Sequence, residues 1–271
     1  MGFSENIQNS MEYANHAFKS FGSWFVLILL YSVMFAGISM LFLGMIFMFA
    51  TLFAVMTPAL LSGVDSAMMA DPMMGDPIFG ILTSASIVLF ILGTIVMIFA
   101  GIFIYGFMMR VYRGGELALN NWGKMFVEGI LAMIILFIYM IPYTIISTLV
   151  VLGPMDNMAY LIIVGMIIPI IVLIISIMVG MMGVIKFAKE EKFGAAFHIK
   201  ELFSLIGSIG WLRYLGYWIL LALILGVVEL VLMCIPFAGI VLLVAALPFI
   251  MIVTARFLAN LYDSALPAVT E

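Results

Sequence analysis

Charge is scarce in this chain, and basic charge is missing from one whole side of it. Only 9% of the 271 residues are charged, against 67% hydrophobic. One cysteine, Cys234, excludes an internal disulfide and a cysteine metal centre. The two histidines, His16 and His198, lie far apart in sequence, with no paired-His motif, no phosphate-cradling Gly loop and no set of Asp, Glu or His on neighbouring apolar runs. The usual catalytic constellations are therefore absent, and an enzyme is not expected. No cofactor is expected either.

What the chain does have is length of apolar run. Runs of 18 or more apolar residues read as membrane spans, because about 20 helical residues cross a hydrocarbon core of about 30 Å. The runs are continuous rather than alternating, which selects helices over a barrel. They fall at roughly 24–56, 79–109, 125–152, 158–185, 211–234 and 237–259. The first two exceed what a span needs, so they tilt or project outward with the loop 57–78. The first 22 or so residues are too long and too polar for a signal peptide, so the chain is expected to stay whole in the membrane.

All ten Lys and Arg residues lie on one side of this ladder. Lys19 precedes the first run. Arg110, Arg113 and Lys124 fill the gap after the second. Lys186, Lys189, Lys192, Lys200 and Arg213 follow the fourth, and Arg256 closes the sixth. The alternate gaps hold Asp65, Asp71, Asp76 and Asp156. The positive-inside rule then places both termini in the cytoplasm of a multi-pass protein of the cell membrane. Nine acids (Glu5, Glu12, Glu116, Glu128, Glu190, Glu191, Glu201, Asp263 and Glu271) share the basic side. A face so nearly balanced is not a nucleic-acid platform or a strong polybasic lipid patch.

The expected fold is all-α, a single integral membrane domain over 1–271 of six transmembrane helices in three hairpins. A short amphipathic helix in the cytoplasmic interface precedes each hairpin. In the first, Ile7, Met11, Ala14, Phe18 and Phe21 form the apolar stripe, with Gln8, Glu12, Asn15 and Lys19 opposite. The second runs through Asn120–Glu128; its Asn pair can cap the helix start, and Trp122 suits the headgroup layer. The third covers 193–206, with Ile199, Leu202, Phe203 and Ile206 apolar and His198, Lys200, Glu201 and Ser204 wet. Arg110, Lys186 and Arg256 end successive hairpins 76 and 70 residues apart, which suggests repeat units 1–113, 114–190 and 191–263.

The stretch Gly106-Phe107-Met108-Met109-Arg110-Val111-Tyr112-Arg113-Gly114-Gly115-Glu116 carries a resemblance. It continues through Asn120-Asn121-Trp122-Gly123, Phe126-Val127-Glu128-Gly129 and Ile138-Tyr139-Met140-Ile141-Pro142. The pattern resembles the archaeal multi-pass membrane family called domain of unknown function four-zero-one-three. That family shows an Arg pair, a Gly-acid turn, Pro-Glu-Trp, two Asp, and Tyr and Pro within a span. Cys234-Ile235-Pro236-Phe237-Ala238-Gly239 is similar to its late Ile-Pro-x-x-Gly turn. The resemblance implies structural roles for Gly106, Arg110, Gly123, Gly129, Pro142, Pro236 and Gly239, and implies no activity. Leu117-Ala118-Leu119 stands where relatives have Pro-Glu-Trp, Asn120 and Asn121 replace the two Asp, and Phe107 replaces a Tyr.

Glu229 is the one carboxylate inside an expected span, and intramembrane charge is a functional hypothesis by default. Tyr139, Tyr143 and Ser147 step by four along span 125–152, with Thr144 and Thr148 beside them at the depth expected for Glu229. We expect Glu229 to pack against this stripe. The pair would line a transport path, or else serve as interhelical glue. Pro142, Pro169 and Pro248 fall near the middle of spans and are expected to kink them. The outer loop offers Met68, Met69, Met73 and Met74 as soft ligands for Cu(I), although the chain uses Met widely as apolar filler. Its three Asp lack the spacing of a calcium loop. Ser176/Gly180 and Ala222/Gly226 permit close helix approach, within the chain or between copies. The partners expected are the lipid bilayer and a protein partner or second copy. The function expected is a non-catalytic scaffold or accessory protein, against a small-solute or ion transporter with a path near Glu229.

Overall fold

The computed structural model describes residues 2–16, 21–62, 77–153, 160, 163–236 and 238–266. All regular structure among them is helical. Helix α1 covers Phe3–Asn15, α2 Phe21–Ser62, α3 Pro77–Arg113 and α4 Trp122–Val151. A π-helical turn at Ile163–Ile167 leads into α5, Ile168–Glu190. A 3-10 turn at Phe193–Phe197 precedes α6 (Ile199–Ile209), α7 (Trp211–Met233) and α8 (Gly239–Ala265). Six of these segments are long and apolar enough to cross a membrane: Gly22–Ala54, Phe79–Arg113, Trp122–Val150, Ile163–Glu190, Trp211–Met233 and Gly239–Ala265. The protein is an all-α polytopic membrane protein.

The chain forms two compact units, Leu29–Gly101 and Met1–Ile28 with Ile102–Glu271. In the first, the middle of α2 runs against the middle of α3. Gly37 and Gly44 face Gly93 and Ser86, and all four positions are small for a steric reason. A Cβ on Gly37 would come 2.9 Å from the Met97 nitrogen, one on Gly93 2.8 Å from the Gly37 carbonyl, and one on Gly44 2.9 Å from the Ser86 carbonyl. The small residues recur every seven positions on both helices: Gly37, Gly44 and Thr51 against Ser86, Gly93 and Ala100. A sevenfold repeat keeps one seam facing its partner along both helices. In lipid, close backbone approach is what holds apolar helices together.

In the second unit the core sits at the basic ends of the helices. The buried residues concentrate in 104–112, 178–188 and 250–262, with Leu202, Ile206 and Tyr214 between them. Helix α4 packs chiefly on α5; α7 packs on α8 and α6. The remaining lengths of the spans leave large apolar side chains exposed, such as Phe137, Leu223 and Leu230. Lipid is the solvent that suits such surface.

Several local expectations are corrected. The first amphipathic helix exists as α1, but its buried column is Asn6, Ser10 and Ala14, while Met11 is 45% exposed. Phe18 lies outside the described residues. The reason is tertiary hydrogen bonding. The Asn6 amide donates to the Phe257 carbonyl at 3.1 Å, Asn260 Nδ2 donates to Asn6 Oδ1 at 2.9 Å, and Ser10 Oγ donates to the Asn6 carbonyl at 2.7 Å. A polar column thus docks α1 on α8, helped by the Phe3 ring against Tyr217 and Phe257. The second interfacial helix is not separate: residues from Trp122 onward are the first turns of α4. Asn121 is left-handed there (φ 55°) and its side chain makes no capping bond. Pro169 does not kink the middle of a helix. It stands in the first turn of α5, just after the π-helical turn, where its missing N–H costs nothing. Pro142 and Pro248 do lie inside α4 and α8.

Candidate functional site

The most elaborate polar structure in the protein surrounds the motif 106–129. Helix α3 reaches it by crossing α4 at two glycines. A Cβ on Gly106 would overlap the Met125 carbonyl, and one on Gly129 the Ile102 carbonyl, so the backbones touch there. The Phe103 ring packs on Trp122 and Phe126 beside the crossing. Helix α3 then ends in a turn that only glycine fits easily. Gly114 has φ +73°, and its N–H and that of Gly115 close on the Val111 and Arg110 carbonyls at 3.0 and 3.1 Å.

The two arginines of the motif have different tasks. Arg110 reaches forward, and its guanidinium donates to the Ala118 carbonyl and to both oxygens of Asn120, fixing the loop 114–121. Arg113 reaches across. It holds Glu128 with two donors at 2.6 and 3.1 Å, and its Nε donates to the Ala188 carbonyl at 2.6 Å, in the last turn of α5. That carbonyl has no partner within its own helix. Glu128 is 93% buried by this fork, with its residue only 7% exposed. Planar, two-pronged binding is what arginine offers and lysine does not.

A chain of ion pairs extends from there. Lys124 lies 2.9 Å from Glu191 and 3.6 Å from Glu128. Glu191, left-handed at the end of α5, is also 3.4 Å from Arg113. Its carboxyl is held below the ordinary carboxylate value, first by the Lys124 hydrogen bond and then by the Arg113 and Lys124 charges. Lys186 is only 3% exposed and pairs with Glu201 on α6, with Glu190 at 3.6 Å. The Lys186 hydrogen bond is likewise the largest cause of a lowered Glu201 carboxyl. Lys189 meets Asp263 on α8 at 2.7 Å. Among the described residues these pairs tie together the ends of α3, α4, α5, α6 and α8 on this side.

One open feature adjoins these ion pairs. A cleft of 570 Å³ is lined by Tyr13, His16 and the turn Gly114–Ala118. Tyr13 closes one wall, its hydroxyl donating to the Gly115 carbonyl at 2.6 Å and its ring lying 5.0 Å under the Arg256 guanidinium. Burial raises the Tyr13 hydroxyl above its ordinary value, while the Arg256 charge lowers it. Among the described residues no group of three or more His, Cys, Asp or Glu could hold a metal ion.

The structure does not bring Glu229 to the tyrosine stripe. Glu229 is half-buried on α7, one turn before its end at Met233, and makes no hydrogen bond or ion pair among the described residues. Helix α7 packs on α8 and α6, whereas the stripe belongs to α4, which packs on α5. The stripe itself divides. Tyr139 is interhelical: its hydroxyl donates to the Ala196 carbonyl at 2.6 Å and its ring lies against Gly180 and Gly183. Thr144, Ser147 and Thr148 instead turn back onto the carbonyls of Met140, Tyr143 and Thr144 in their own helix. Tyr143 is half-buried beside them. Met68, Met69, Met73 and Met74 lie outside the described residues.

Of the motif positions, Gly106, Gly129 and Arg110 have the roles just described. Gly123 has open space around it, and nothing in the structure requires a glycine there. Pro142 is exposed on α4. Pro236 accepts a hydrogen bond from Ala238 at 2.7 Å, and a Cβ on Gly239 would come 2.6 Å from the Leu232 carbonyl, so this turn does need a small residue. Sequence reasoning missed Asn6, Ser10 and Asn260.

The family described as "Protein of unknown function (DUF4013)" matches residues 89–237, more than half of the chain. The chain belongs to this family. The matched segment contains the glycine crossing, both motif arginines, Glu128 and the ion-pair partners Lys186 and Glu201, so all of these pairs but Lys189–Asp263 fall within the family's shared region. Comparison with curated proteins and with solved structures gives no match.

Proposed function

We propose that this family member is a non-catalytic membrane scaffold or accessory protein. Its basic helix ends and both termini face the cytoplasm, on the side that the positive-inside rule assigns. One observation carries the reading. Apart from Glu229, the polar groups that could have lined a path are engaged elsewhere: the charges pair with one another at the helix ends, and Thr144, Ser147 and Thr148 bond back within α4. A transport path near Glu229 needs polar groups facing it from a neighbouring helix, and α7 is not packed on the helix that bears them.

Partner binding in the bilayer has its own support. Ala222 and Gly226 lie on an exposed face of α7, with no atom within 4 Å of where a Gly226 Cβ would stand. The other small pair, Ser176/Gly180, lies in the α4–α5 contact, with Tyr139 3.1 Å from a Cβ at Gly180. The test is cross-linking in native membranes, then purification of the full chain and mass spectrometry. A stoichiometric protein partner or a discrete oligomer is expected. A lone chain carrying lipid only would overturn the scaffold reading.

A further inference from the structure

Helices α4, α5 and α6 enclose an apolar groove of 290 Å³, lined among others by Tyr139, Pro142, Ile175, Ser176, Ile199 and Phe203. That is the low end of the range for small-molecule pockets, wide enough for part of one chain-like molecule rather than a bulky one. Two hydroxyls interrupt its apolar wall. Tyr139 is already bonded to the Ala196 carbonyl. Ser176 is different. Several helical serines in this protein turn back on a carbonyl three or four residues earlier, as Ser39, Ser84, Ser86, Ser147 and Ser208 do. Ser176 is only 6% exposed, makes no hydrogen bond among the described residues, and lines the groove. Its oxygen is not among the fully buried unpartnered ones and so opens on the groove, where an apolar wall offers it no partner and a ligand oxygen would supply one.

The surroundings give the rest of the ligand. Helix α6 buries Leu202, Ile206 and Ile209 in the protein but turns Ile199 and Phe203 to the groove. Its polar face begins at Lys200, the residue after the groove-lining Ile199. Lys200 is exposed and takes no acid partner among the described residues, as do Lys192 before α6 and Arg213 after it. The other lysines of this end, Lys124, Lys186 and Lys189, are all paired. The groove thus offers a hydroxyl donor in an apolar wall, and an unpaired cation, Lys200, stands on α6 next in sequence to its lining residue Ile199.

We propose that this groove is a binding site for an anionic phospholipid. One acyl chain lies along Pro142 and Ile175, a glycerol-linked oxygen accepts the Ser176 hydroxyl, and the headgroup phosphate meets Lys200. The site is independent of the scaffold reading, since a transporter could carry it equally.

The experiment uses the purified full chain in phosphatidylcholine vesicles containing phosphatidylglycerol with a diazirine on one acyl chain. After a chase with unlabelled phosphatidylcholine vesicles and illumination, retained adducts are mapped by mass spectrometry. Adducts concentrated in 172–179 and 199–203 are expected, reduced at least about fivefold by Ser176→Leu, which fills the groove. Ile199→Trp blocks the rim at a half-exposed position and gives the same readout where the Leu variant folds poorly. Lys200→Gln is expected to erase the advantage of phosphatidylglycerol over a diazirine-bearing phosphatidylcholine. Adducts spread over all exposed spans and unmoved by both groove variants would overturn the site. Equal retention of the two lipids by the wild-type chain would overturn the anionic assignment.

Discussion

The two compact units hold their helices by opposite means. Between Leu29 and Gly101 the contact is a seam of small residues, Gly37 and Gly44 against Gly93 and Ser86, with no ion pair among the described residues. In the other unit the glycine crossing at Gly106 and Gly129 is only the start, and forks and ion pairs from Arg113 to Asp263 tie the helix ends together. Depth in the membrane explains the difference. In hydrocarbon a charge costs several kcal/mol, so association there relies on close packing. At the helix ends water lowers that cost, and helix termini leave carbonyls such as that of Ala188 in need of donors. Charge is therefore affordable only where the apolar runs stop, and that is where it gathers.

The comparison breaks most visibly at the glycine crossing of the ion-paired unit. Gly129→Val should abolish the folded protein, because the Ile102 carbonyl occupies the added atoms' position and neither helix backbone can yield. The check is folded yield from detergent by size-exclusion chromatography; a normal monodisperse peak would show that the helices separate easily. Next in size is Glu128→Leu, which leaves Arg113 half-buried without its fork and should cost about 3 kcal/mol. Gly93→Ala tests the seam, where the added methyl group should cost about 1–2 kcal/mol by overpacking. Denaturation in mixed micelles ranks the two, and a larger loss for Gly93→Ala would reverse the order argued here.

The smallest effect is a pH dependence. Glu191 and Glu201 both have carboxyls lowered by lysine partners. A group whose folded value is depressed contributes stability above its unfolded value, and loses it as pH falls through the folded one. Both carboxylates are solvent-exposed, so screening keeps the gain small. The docking of α6 should hold at neutral pH and loosen only below the ordinary carboxylate range, read as faster amide exchange in 193–209. Loosening already between pH 6 and 8 would contradict this assignment to the two carboxylates.

Much of this architecture is legible in the sequence. Runs of apolar residues locate all six spans, because burial in lipid needs no tertiary information. The basic ends of the spans are harder to read. Helices α3, α5 and α8 run on to Arg113, Glu190 and Ala265, past the points where hydropathy falls, because ion pairs between helices replace lipid there. The nearly balanced count of bases and acids on that side was visible beforehand, but which acid meets which base depends on helix crossing. The Gly37/Gly44 and Ser86/Gly93 repeats were readable at spacing seven and show why the first hairpin can be so long and so apolar. The column Asn6, Ser10 and Ala14 could not be read, since amphipathic periodicity takes polar residues for the wet face. Glu229 was expected beside Thr144, Ser147 and Thr148 because both lie near the outer ends of their helices, but a common depth does not fix which helices touch.

The central claim is that polar groups in this protein hold helices together and do not form a route across the membrane. Flux into proteoliposomes tests it most directly, with protons, Na⁺ and K⁺ followed for wild type, Glu229→Gln and empty vesicles. The account predicts three indistinguishable rates for each ion. A wild-type rate above that of empty vesicles, lost in Glu229→Gln, would contradict it.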